Sequence, residues 1–160
     1  MRGGALPPAL LAAALGLALA YAPPRLRYAG VVIFWIIAPP AALLSFSPDW
    51  IEAVFLACWG GVIAAAATVH LPRGPGTVAA IALAVGAAVL AGAVTAVSGS
   101  LHTLLIALPW ALVTIPAAWL IARGWGIGVK IVSSWLIAIA LLAAALPLTP
   151  TPGYEPDHLE

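Results

Sequence analysis

This chain has very little charge. Its 160 residues include six basic and five acidic side chains, 7% in all, against 64% hydrophobic residues. Soluble domains carry roughly 25% charged and 45–50% apolar residues, so a water-facing surface cannot be built from this composition. A single cysteine, Cys58, excludes an intrachain disulfide, and its place inside an apolar run reads as a small buried hydrophobe. Phosphate-binding glycine loops, nucleophile motifs and metal-ligand clusters are missing, and the formal charge of +1 offers nothing to nucleic acid. No cofactor is expected. His70 and His102 fall near opposite ends of the apolar runs, too far apart in depth to ligate one haem.

What remains is apolar sequence cut into lengths that suit a bilayer. A hydrocarbon core of roughly 30 Å needs about 20 apolar residues per helix. The pattern predicts an all-α, polytopic membrane bundle of six transmembrane helices, over 6–22, 29–46, 51–69, 77–97, 101–122 and 131–148. These form one membrane domain, 1–148, followed by an extended acidic tail, 149–160. The first stretch is the shortest. With Met1-Arg2 before it and Ala20-Tyr21-Ala22 at its end it also reads as a secretory signal peptide, although Pro23 would be a poor residue to follow a cut.

The breaks carry their own chemistry. Pro23-Pro24 stops the first helix, since proline lacks the amide and restricts its predecessor. Ser47-Pro48-Asp49-Trp50 reads as a helix start, with Ser47 as cap and Asp49 and Glu52 facing the positive helix end. Leu71 to Gly76 is a tight turn by composition, and Ser98-Gly99-Ser100 separates two runs.

Charge alternates between these breaks. Arg25 and Arg27 fall in the first gap, Arg73 in the third, Arg123 and Lys130 in the fifth; Asp49 and Glu52 border the second, and Glu155, Asp157 and Glu160 lie in the tail. Only Arg2 departs from the alternation. Basic loops resist translocation, so the odd gaps are expected on the cytoplasmic side of the plasma (inner) membrane, with both termini outside.

Small residues recur at helical spacing. Ala80, Ala84, Ala88, Gly92 and Ala96 form a ladder in the fourth run, and Gly61 belongs to a second ladder, Ala53-Ala57-Gly61-Ala65. Such faces let helices approach where lipid removes the hydrophobic drive. They mark either the centre of the bundle or a seam with a second copy. A shift of 76 residues lays Pro40 on Pro116, Trp59 on Trp135 and Gly16 on Gly92, as two inverted three-helix repeats would. Pro39 and Pro40 in the second run, and Pro109 and Pro116 in the fifth, are candidate hinges, with Thr114 a candidate cavity-lining group.

Two functions follow. The first is a non-catalytic accessory subunit, a bundle that binds lipid, a partner membrane chain or a second copy. The second is a small-solute transporter or channel built from the two triplets. The lack of any ionisable group at mid-span argues against a proton- or ion-coupled pump. A third, an enzyme acting at the outer surface, would need Asp49, Glu52 and His102 to converge as ligands or as an acid–base pair.

Overall fold

A computed structural model describes residues 4–98 and 100–146. Its helices are α1 (Leu6–Ala20), α2 (Pro24–Ala41), α3 (Ile51–Thr68), α4 (Thr77–Ser98), α5 (Leu101–Ala107), α6 (Thr114–Ala122) and α7 (Gly126–Ala145). Short 3-10 segments, Pro48–Trp50 and Leu108–Val113, precede α3 and join α5 to α6. Arg2 and the acidic tail lie outside the described residues, as does the end of the sixth expected span.

Among the described residues four stretches are long and apolar enough to cross a bilayer: Ile51–Thr68, Thr77–Val97, Leu101–Ala122 and Gly126–Ala145. Two of the six expected spans are not among these four, and the sixth, expected over 131–148, starts five residues early at Gly126 and takes Lys130 into its helix. The first, α1, has 15 residues, about 22 Å at 1.5 Å per residue, and is a shorter apolar helix. The second begins five residues earlier than hydropathy suggests and takes Arg25 and Arg27 into its first turn. Proline explains the shift. Pro23 is extended (φ −52°, ψ 144°) and Pro24 opens the helix, where its fixed φ is already helical and its missing amide costs nothing. Two cations at a helix N-terminus oppose the dipole, and one is tethered: Arg27 Nε donates to Ala22 O at 2.9 Å.

The two proline pairs act differently. Pro39 and Pro40 fall in the last turn of α2 and end it, rather than breaking it at mid-span. Pro109 is the second residue of the 3-10 segment within the fifth span, where backbone bonds tighten from i+4 to i+3, and Pro116 sits in the first turn of α6. Before α3, Ser47 does not cap. Its hydroxyl donates to the Asp49 carboxylate at 3.1 Å, and Trp50 occupies the cap position.

α1 is the centre of the molecule. Leu11, Leu15 and Leu19 are fully buried, as are Ala12, Ala14, Ala18 and Ala20. It packs against α3, α4 and every part of the broken fifth span. The signal-peptide alternative would remove the middle of the core. Around α1 the outward side chains are large and apolar, among them Val78, Ile127, Trp135 and Leu142. Exposed apolar residues on this scale suit lipid rather than water.

Tyr21, just beyond α1, gathers three connections at one end. Its hydroxyl donates to Gly126 O, at the start of α7, at 3.0 Å. Gly74, in the α3–α4 turn, sits so close that a Cβ there would lie 2.6 Å from Tyr21 O. Gly74 also has φ +64°, which glycine adopts without strain. The first, third and fifth gaps therefore share one end of the bundle, and with them Arg25, Arg27, Arg73, Arg123 and Lys130.

Candidate functional site

The small-residue positions lie at close approaches. Ala80, Ala84 and Ala88 are buried, Gly92 is buried, and Ala96 is half-buried. A Cβ on Gly92 would meet Ala41 Cβ and lie 2.7 Å from Ala38 O, so the α4 and α2 backbones touch there. Gly16 does the same for α1: a Cβ would lie 2.9 Å from Ala111 O and 3.2 Å from Thr114 N. Gly61 faces side chains instead, Leu90 at 2.8 Å and Leu11 at 3.2 Å. Its ladder partners Ala53 and Ala57 are exposed.

Buried hydroxyls are satisfied by backbone. Thr95 donates to Ala91 O at 2.7 Å, Thr114 to Ala111 O at 2.8 Å, and Ser133 reaches across from α7 to Ala66 O on α3 at 2.6 Å. The Ser133 bond ties two helices, whereas the threonine bonds stay on their own segments. Trp59 Nε1 is buried with no hydrogen-bond partner.

A groove opens between α2 and α6. Its outer section, about 300 Å³, is lined by Arg27, Tyr28, Thr114, Ile115, Ala118 and Trp119. Its inner section, about 190 Å³, shares Tyr28, Thr114 and Ile115 and adds Val31, Val32, Trp35 and Leu112. One wall comes from α2 and the other from the broken fifth span, Leu112 of the 3-10 segment and Thr114, Ile115, Ala118 and Trp119 of α6. Beside the groove, Trp35 Nε1 of α2 donates to Leu108 O, at the start of the 3-10 segment, at 3.0 Å. At the basic end Arg123 stacks over the Trp119 ring, 4.0 Å from its centroid, a cation–π contact.

Thr114 and Leu112 stand on this groove, while Pro39, Pro40, Pro109 and Pro116 do not line it. Asp49, Glu52 and His102 are each exposed, and no three His, Cys, Asp or Glu side chains come together among the described residues. His70 Nε2 lies 3.4 Å from Ser134 Oγ at the basic end. Sequence reasoning missed Tyr21 and Trp35. Each carries one polar atom on an apolar body, and nothing local in sequence points to its partner, 105 and 73 residues away respectively.

No protein-family model, curated protein or solved structure matches the chain.

Proposed function

We propose that this protein is a non-catalytic integral membrane bundle that binds lipid or another membrane chain, a second copy included, through its apolar and small-residue faces. The observation that carries this is the packed centre: α1 occupies the middle with fully buried leucines and alanines. The neighbouring hydroxyls are spent on backbone carbonyls rather than aimed along a route for solute. In this reading six segments cross the inner membrane, α1 being the short one and α2 the one that carries two arginines in its first turn. The basic end faces the cytoplasm and both termini lie outside, because cationic loops resist translocation.

A transporter built from two inverted triplets is the second reading, and one observation favours it. Gly92 of α4 rests on residues 38 and 41, and Gly16 of α1 rests on residues 111 and 114. Shifted by 76, residue 16 becomes 92 and residue 38 becomes 114, so each half packs its first helix on the other half's proline-bearing helix. Inverted repeats exchange contacts in this way.

Reconstitution separates the two. Liposomes containing the protein, loaded with small neutral and ionic solutes, are expected to release them no faster than protein-free liposomes. Protein-dependent, saturable release would overturn the bundle reading and establish the transporter.

A further inference from the structure

We propose that the groove between α2 and α6 is a binding site for an anionic phospholipid of the leaflet at the basic end. The inference deepens the lipid-binding reading above and rests on it. The groove is amphiphilic along its length. At the mouth are Arg27 and Trp119, and Trp119 holds the Arg123 guanidinium over its ring. Further in, the walls are Val31, Val32 and Leu112, with no polar surface exposed. Arg27 is fixed through Nε to Ala22 O, and its terminal nitrogens take no partner among the described residues. A guanidinium so held presents paired N–H donors that match a phosphate.

Charge selects the occupant. Among the described residues the acids are Asp49 and Glu52, at the α3 N-terminus, and α3 reaches the basic end only at its C-terminus. Among the described residues no ion pair forms, and no carboxylate pairs with Arg27 or Arg123. Basic pockets between transmembrane helices on the cytoplasmic side take anionic headgroups. The inner section then receives an acyl chain, and Tyr28 and Trp119 lie where ring and headgroup levels meet. The Trp35–Leu108 bond ties α2 to the 3-10 segment that carries Leu112 of the inner wall.

Native mass spectrometry of the full chain in detergent, with phosphatidylglycerol and phosphatidylcholine of identical acyl chains, tests this. The expected result is several-fold preferential retention of phosphatidylglycerol. Arg27→Gln and Arg123→Gln should each abolish that preference, whereas Arg73→Gln, which removes the same charge outside the groove, should leave it intact. Ile115→Trp, which fills the groove, should lower retention of both lipids. Helical content and protection of Cys58 from thiol reagent confirm that each variant is folded. Equal retention of the two lipids by the unmodified chain, or equal losses from Arg73→Gln and Arg27→Gln, would overturn the site. Solute release from liposomes alongside selective retention would overturn the bundle reading alone, and selectivity lost without release would overturn the lipid site alone.

Discussion

Two glycines on one helix should respond to the same substitution with opposite signs. Gly86 and Gly92 both lie in α4. A Cβ at Gly86 meets nothing within 4 Å, whereas at Gly92 it would lie 2.7 Å from Ala38 O and 2.8 Å from the Ala41 carbonyl carbon. Alanine is better than glycine in a helix interior by about 0.8–1 kcal/mol, so Gly86→Ala should stabilise by that amount. At Gly92 the same gain is opposed by overpacking, which costs about 1–3 kcal/mol. The obstructing atoms are backbone and the Ala41 Cβ, which no rotamer change can shift, so α2 itself must move. The net effect of Gly92→Ala is therefore destabilising, and Gly92→Leu more so. At about 2–4 °C per kcal/mol for a chain of this size, the two alanine variants should differ in Tm by several degrees. Cys58, the one cysteine and fully buried, supplies the assay: a fluorogenic maleimide reports its exposure as the protein is heated in detergent. If Gly92→Ala raises Tm as Gly86→Ala does, the close approach of α4 to α2 is wrong.

Other expectations follow from particular contacts. Gly16→Ala should destabilise as Gly92→Ala does, since it too would press on backbone, at Ala111 O; the same thermal assay reads it. Tyr21→Phe deletes the hydrogen bond to Gly126 O and should cost about 0.5–1.5 kcal/mol, seen as a lower Tm. Gly74→Ala should cost more than Tyr21→Phe, because it forces a side chain into positive φ and against Tyr21 O; a smaller loss would contradict that turn. A chain beginning at Pro23 lacks α1 and should not accumulate as folded protein in membranes, which detergent gel filtration would show. N-terminal sequencing of the purified protein should find residues 6–20 retained.

Much of the helical pattern was legible from residue types, because apolar runs and proline or glycine breaks report directly on bilayer-length segments. The centre of the bundle was not. α1 is alanine and leucine all round, and in a membrane such a helix reads the same whether it faces lipid or protein. Its role emerges only from contacts with α3, α4 and the fifth span. The start of α2 was misread for a physical reason: Arg25 and Arg27 looked like a loop, while Pro24 had already set the helix. Pro109 and Pro116 did flag the fifth span, but nothing local in sequence shows that its 3-10 segment lies against Gly16 of α1. The groove was out of reach for the same reason. Tyr28, Trp35 and Trp119 are ordinary aromatic residues until the backbone sets them along one cleft.

With α1 a full member of the bundle, the first, third and fifth gaps must share one membrane face. In a Cys58→Ala background, single cysteines placed by Arg25→Cys, Arg73→Cys, Arg123→Cys and Ser47→Cys can be labelled with an impermeant maleimide. Cells and inverted vesicles present the two faces in turn. The expected result is that the first three react only in inverted vesicles and the Ser47 position only in intact cells. Labelling of any of the three arginine positions from the same side as position 47 would contradict the arrangement.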